Sequence, residues 1–376
     1  MCIRDRSTIG PKAFIHLDRC KSNLIKIQEK VGNRVLLCVV KANGYGHGAV
    51  PIAKTIANHA NINFAVFSID EAMELRNSKI NNDIFVFSKI QSDFIDLAYN
   101  NNLILNLSSI DDIDSIKTYI LETGNCPRYH IKFDTGMTRL GIDIADANVL
   151  YEKITRDLTT HPEGIYTHFA TADEGDLTYA KMQLRKFNEI VELADKHKIK
   201  FKYIHCSNSG AILNLEESYF NMVRVGMLLY GALPSNEVNT DIELEPVMSF
   251  CGSIVNIRRV TKGTNVSYGG VYTTDRDTNI GVIQTGFADG FPRPWYENGF
   301  VNYKGEKYKI AGRGCMDQLM VDFGETMPQI GDDVLFFGKN KSGDIPVETI
   351  AETINSTTYV LLTAIGGRTK YIYIDD

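Results

Sequence analysis

The chain has 376 residues, 44% hydrophobic and 23% charged, and its 40 Lys and Arg against 46 Asp and Glu give a formal charge of -6. This is ordinary globular composition, long enough for two cores, and without a long basic run it argues against a dedicated nucleic-acid or membrane-surface role. No apolar run reaches the roughly 20 residues of a membrane helix, and the seven cysteines, odd in number and without a CxxC pair, point to a reducing cytoplasm rather than to a disulfide framework or a zinc site.

The opening MCIRDRSTIG carries charges but no following apolar core, so it does not read as a signal peptide and is left out of the fold argument. A strand, AFIHLD at 13–18, and a helix from Asp18 follow. Eight short apolar runs then alternate with stretches of helical spacing such as SIDEAMELRNSKI and TYAKMQLRKFNEIVELADKHK. They are LLCVVKA (36–42), FAVFSI (64–69), DIFVFS (83–88), LILNLS (103–108), RYHIKFD (128–134), GIYTHFA (164–170), YIHCSN (203–208) and NMVRV (221–225). Strands alternating with helices imply a parallel sheet, and eight repeats suggest a closed, TIM-like (β/α)8 barrel, with an open doubly wound sheet as the alternative. After about residue 240 the runs FCGSIVNIRRV, TNIGVIQTG, GFVNYKGEKYKIAG, QLMVDFG and DDVLFFG are parted by short turn signals. They predict a second, mostly antiparallel β domain. It contains one helix, from Pro346 to about Ile365, ahead of a closing strand KYIYI. The polar stretch SNEVNTDIELEP divides a barrel domain, 11–240, from this β domain, 241–376.

In such a barrel the chemistry belongs at the carboxyl ends of the strands. Lys41, in VVKANGYGHG, stands at the end of the first. Apolar neighbours depress an amine's pKa, a neutral amine can form an imine with a carbonyl, and a glycine-rich loop admits a ligand or aromatic ring close to the backbone. On position alone Lys41 reads equally well as a solvated strand end. The fifth strand runs into KFDTGMTRLGI, bringing Lys132, Asp134 and Arg139 near the mouth; the sixth ends in THFATAD with His168 and Asp173, the seventh in HCSNSGA with Asn208 and Ser209, and the eighth in VRVG with Arg224. Taken singly, His168 is a packed core histidine, Arg139 and Arg224 are surface ion-pair residues, and Asn208 with Ser209 is a helix N-cap. Together they say more. A capped helix start attracts anions, and barrels bind phosphate between the loops after strands seven and eight. Ser209-Gly210 and Gly226-Met227 occupy those two loops. A lysine on one side and a phosphate nest on the other suggest pyridoxal 5'-phosphate. A nucleotide or sugar phosphate would fill the nest and leave the lysine unexplained.

The motifs VVKANGYGHG, KFDTGMTRLG, THFA, HCSNSGA, VRVGMLLYG, VSYGGVYTT, GFADGFPR and GCMDQLMVD, with the helix containing Tyr359, occur in one order from about Ala13 to the C-terminus. In these the chain resembles the alanine racemases, pyridoxal-phosphate enzymes with a TIM-like barrel and a C-terminal β domain. The resemblance implies that Lys41 carries the cofactor as an aldimine. Tyr45, Asn208, Ser209, Gly226, Met227 and Tyr359 would surround the phosphate, and Arg224 would face the pyridine nitrogen. Unlike a carboxylate, an arginine cannot hold a proton on that nitrogen, so the ring is a weaker electron sink. Arg139 would meet the cofactor's phenolic oxygen and the substrate carboxylate, positioned by Lys132, which is carbamylated in many relatives. Tyr268 would be the second acid–base group, opposite Lys41. Both groups titrate near ~10 when unperturbed, and His168, bonded to Arg224, would lower the tyrosine through a chain of cations. Tyr268, Met316 and Asp317 would come from the second chain of a head-to-tail homodimer, the last two lining the carboxylate pocket. No metal, nucleic acid or membrane is implied.

One departure stands out. Phe287, in GFADG, replaces a tyrosine usual near the access corridor, leaving Asp173, Arg293 and Arg313 for that path. The implied activity is the interconversion of L- and D-alanine in the cytoplasm for peptidoglycan, with a broader amino-acid racemase as the alternative. A non-catalytic pyridoxal-phosphate barrel would lack NVSYGG and GCMDQ, and a decarboxylase of the same barrel type would carry a carboxylate in place of Arg224.

Overall fold

The structure is a computed structural model that describes residues 9–158 and 161–375; the MCIRDRST segment lies outside them. The first strand, β1 (Lys12–His16), runs directly into α1 (Leu17–Val31), so strand and helix meet slightly earlier than the expected 13–18 and Asp18. All eight apolar runs form parallel strands: β2 (Val35–Val39), β3 (Ile62–Val66), β4 (Ile84–Lys89), β5 (Leu103–Leu107), β6 (Arg128–Asp134), β7 (Gly164–Tyr166), β8 (Tyr203–His205) and β9 (Met222–Val225). The order is β9-β2-β3-β4-β5-β6-β7-β8. The sheet is a nearly closed barrel, since Arg224 N–H on β9 donates to Ser207 O just beyond β8 at 3.1 Å. Sandwiched between helices and barrel interior, these strands bury both faces, which is why they read as continuous apolar runs.

The surrounding helices include α2 (Ala49–Ile56), α3 (Ile69–Asn77), α4 (Ile95–Asn100), α5 (Asp111–Thr123), α6 (Ala147–Asp157), α7 (Thr178–Lys196) and α8 (Ser209–Asn214). In α7 the buried residues Ala180, Gln183, Leu184, Phe187, Ile190 and Ala194 recur every three or four positions and turn one stripe to the sheet.

The segment from 231 to 247 contains no helix or strand, and beyond it come β10 (Met248–Val260), β11 (Thr278–Gln284), β12 (Phe300–Tyr303), β13 (Glu306–Ile310), β14 (Leu319–Asp322), β15 (Asp333–Asn340), β16 (Gly343–Ile345) and β17 (Lys370–Ile374). Their order is β16-β15-β12-β13-β14-β11-β10-β1-β17, and β15 also pairs with β10, so six strands close on themselves. β1 therefore belongs to this second sheet, antiparallel to β10 and parallel to β17. Its buried Lys12 clamps the join through an ion pair to Asp333 at 2.7 Å.

The single helix expected over 346–365 is two, α9 (Val347–Thr353) and α10 (Thr358–Ala364). Asn355 takes a left-handed φ of 51°, Ser356 N–H donates back to Ala351 O at 2.8 Å, and Thr357 is extended, so the chain turns before restarting. None of the helices among the described residues is long and apolar enough to cross a membrane.

Candidate active site

At the carboxyl end of the barrel a cavity of about 590 Å³ is lined by Lys41, Tyr45, Lys132, Arg139, His168, Asn208, Ser209, Arg224, Gly226 and Tyr359, with Tyr166, Phe87 and Val360 among the remaining walls. Four of its lining residues are cations, Lys41, Lys132, Arg139 and Arg224, and none is a carboxylate.

Lys41 begins a left-handed turn just beyond β2. Ala42, Asn43, Gly44, Tyr45 and Gly46 all have φ between 51° and 81°. Two carboxylate contacts brace the turn: Glu71 Oε1 accepts from Ala42 N–H and Oε2 from Phe67 N–H, each at 2.7 Å. Glu71 also completes a capping box with Ser68 at the start of α3. The glycines serve a different purpose from the ligand space expected of them. A Cβ on Gly46 would collide with Leu362 O in α10, and one on Gly48 with the Tyr373 hydroxyl, so they let the second sheet and its helices seat against the loop. The amine of Lys41 lies 5.9 Å from the Phe87 ring centre. Burial, then the charge of Arg139, holds its pKa below the ordinary lysine value, with Glu71 opposing the shift.

At the opposite end Asn208 Oδ1 accepts from Ala211 N–H at 3.0 Å, capping α8 as expected. Ser209 Oγ accepts from Gly226 N–H at 3.2 Å, and a Cβ on Gly226 would stand 3.2 Å from the Tyr45 hydroxyl. This is a cradle that any side chain would fill, walled by hydroxyls and amide groups. Burial raises the pKa of Tyr45 and of Tyr359, keeping both as neutral donors. Met227, next in the chain after Gly226, is fully buried and does not line the cavity.

Arg224 forms no ion pair among the described residues. Its buried guanidinium donates to Thr167 O and Cys206 O, each at 2.9 Å, to His205 O at 3.3 Å, and to the Nδ1 atoms of His168 and His205, each at 3.1 Å. A guanidinium can only donate, so both ring nitrogens accept and the imidazoles keep their protons on Nε2. His205 then donates from Nε2 to His130 Nδ1 at 3.1 Å. Burial, reinforced by nearby cations, depresses the pKa of His168, His205 and His130 and keeps them neutral. Arg224, lowered by burial to about 10, remains the cation of the chain. Lys132 is buried 5.6 Å from the Tyr166 ring, and burial with the charges of Arg139 and Arg224 lowers it to about 8.

Three expected residues lie elsewhere. Tyr268 is 68% and Met316 57% exposed on the second unit, and Asp317, next to Met316, is exposed as well, so none lines the cavity of its own chain. Asp317 is held by Arg368 at 2.7 Å, which also grips buried Asp289 in GFADG at 2.9 Å. Arg293 stacks over Phe287 at 5.8 Å. Sequence reasoning missed Tyr166, His205, His130, Glu71 and Arg368. Strand alternation could have found Tyr166, two positions before His168; the others act through long-range contacts with no local pattern.

A left-handed lysine turn at one barrel strand and a hydroxyl-walled nest between the last two loops, with a buried arginine between histidines, define a barrel enzyme of the pyridoxal-phosphate type. Family models described as the alanine racemase N-terminal domain and C-terminal domain match residues 15–234 and 247–373. The alanine racemase of Desulforamulus reducens is 36% identical over 370 residues, 96% of this chain and 98% of that protein. The crystal structure of alanine racemase from Streptomyces lavendulae matches with a TM-score of 0.91 at 30% identity, covering 99% of this chain and 98% of that one. That from Bartonella henselae, described with covalently bound pyridoxal phosphate, matches with a TM-score of 0.87 at 26% identity over 97% and 99% of the two chains. The chain belongs to the alanine racemase family, a family of isomerases.

Proposed function

We infer that the protein interconverts L- and D-alanine with pyridoxal 5'-phosphate. The observation that carries this reading is the cavity itself: a lysine with a depressed pKa at one end, a neutral hydroxyl and amide cradle at the other, and a cationic wall without a carboxylate between. Such walls suit a phosphate dianion and a substrate carboxylate together. When bound, the cofactor supplies an electron sink for the pair left on the α-carbon as its proton departs.

The chain's own residues do the rest. Lys41 would hold the cofactor through its amine and move a proton on one face of the α-carbon, its lowered pKa bringing it closer to working pH. Ser209, Gly226 and Tyr45 would hold the phosphate, with Tyr359, Asn208 and Met227 around them. Arg139 would bind the substrate carboxylate. Arg224, pinned by five acceptors, would meet the ring nitrogen as a donor that cannot give up its proton to it. The lowered pKa gives Lys132 a neutral fraction that can take up CO₂, releasing a proton and leaving a carbamate that neighbouring cations would stabilise.

Tyr268 would serve the other face, supplied from a second copy of the chain with Met316 and Asp317; their exposure on the second unit, residues 241–376, supports this. His168, being neutral, would assist the phenolate by donating from Nε2, and the positive charge sits one step back on Arg224. The cytoplasm and cell-wall precursor supply are the expected setting.

Borohydride treatment of the loaded protein should fix the cofactor on the peptide containing Lys41, and chiral analysis should find D-alanine formed from L-alanine faster than any other amino acid is inverted. Labelling of another lysine, or preferred turnover of a larger amino acid, would overturn the assignment.

A further inference from the structure

Tyr268 makes no hydrogen bond among the described residues, and its side chain stands out in solvent. Its aim is therefore set by its backbone, in the turn Tyr268–Gly270 between the short paired segments Asn265–Val266 and Tyr272–Thr273. Ser267, just before it, has φ 67° and ψ 179°, a region that in practice only glycine enters. A non-glycine residue stays there only if its surroundings impose it. Two contacts do so at the base of the hairpin. Ser267 Oγ donates to Arg313 O at 2.6 Å, and Ser267 packs so tightly over Gly312 that a Cβ on that glycine would lie 2.7 Å from its own. At the returning strand Tyr272 donates its hydroxyl to Asp322 Oδ2 at 2.5 Å. Asp322 is buried at the end of β14 and accepts further from Gly324 N–H at 2.9 Å and from the Thr278 hydroxyl on β11. The carboxylate thus joins the hairpin to two strands of the closed sheet.

We propose that Tyr272 and Asp322 are positioning residues for Tyr268, their hydrogen bond fixing the strained turn so that the phenol is presented in one orientation. This rests on Tyr268 being the second acid–base group. The hydroxyl of Tyr272 is the part that matters; its ring alone would let the hairpin swing about its Ser267 anchor.

The test uses the holoenzyme with alanine in D₂O and compares two rates: inversion, which needs both faces, and solvent exchange of the α-proton of the enantiomer served by Lys41, which needs one. Tyr268→Phe should suppress inversion while leaving that exchange. Tyr272→Phe and Asp322→Asn should each lower inversion about tenfold and the exchange by less than about twofold. Adding Tyr272→Phe to Tyr268→Phe should cost nothing further, because the tyrosine it positions is already disabled. If Tyr268→Phe loses both rates in equal proportion, the acid–base assignment itself fails. If Tyr268→Phe separates the rates but Tyr272→Phe and Asp322→Asn do not, only the positioning proposal fails. General unfolding gives that same result, since it removes both rates together.

Discussion

Two buried cationic residues decide the character of the site. Arg224 satisfies five acceptors with one planar fork, which a lysine with three donors cannot do. Arg224→Lys should strand at least two buried acceptors and destabilise the fold by about 2–5 kcal/mol, read by denaturant unfolding. Lys132 has a folded pKa of about 8 against 10.5 for the free side chain. Below pH 8 it is protonated in both states and the cost of burying the charge is present in full. As pH rises from 8 towards 10.5 the folded chain releases the proton first, and that cost disappears. In CO₂-free buffer Lys132→Met should therefore be more stable than the native chain near neutral pH, by on the order of 3 kcal/mol, and the difference should shrink over this interval. Bicarbonate should stabilise only the native protein, because only Lys132 can form the carbamate.

Among the elements, the left-handed turn after β2 joins the two halves of the molecule. Gly46 has φ 81° and faces Leu362 O in α10, the helix that also carries Tyr359. Gly46→Ala strains the backbone and pushes that helix away. It should cost about 2–4 kcal/mol of stability and weaken cofactor affinity at least about tenfold, measured by titrating the apo protein with pyridoxal phosphate. The capping box at α3 works on the same turn from the other side, because its Glu71 also receives the Ala42 amide. Ser68→Ala removes only the cap and should cost about 1 kcal/mol in thermal unfolding, with activity retained.

On the scale of the whole molecule, the lysine and the tyrosine assigned to one reaction sit on different units, and the tyrosine is outside its own chain's cavity. A shared site between two copies makes a specific expectation. Lys41→Ala and Tyr268→Phe chains, each inactive alone, should recover about one quarter of native activity when unfolded and refolded together in equal amounts, because half of the dimers are mixed and each of these carries one intact site. No recovery would mean that each chain uses its own tyrosine.

Local pattern alone made legible the eight barrel strands, the mostly antiparallel second sheet, and Lys41, Ser209 and Gly226 at the two ends of the cavity, while Tyr45 came from the family resemblance. Those features are local: strand period, helix spacing, turn chemistry and loops of fixed order. It misjudged the helix over 346–365, where apolar spacing continues across a left-handed break at Asn355, and it gave the glycines of the lysine loop a ligand to accommodate where α10 and β17 occupy the space. Folding in three dimensions alone puts β1 in the far sheet, sets Glu71 against the lysine turn, joins Arg368 to Asp317, and makes His168 a neutral imidazole with the charge behind it on Arg224. Each of these depends on groups distant in the chain being brought together and desolvated together, and burial of that kind leaves no periodic trace in the order of the residues.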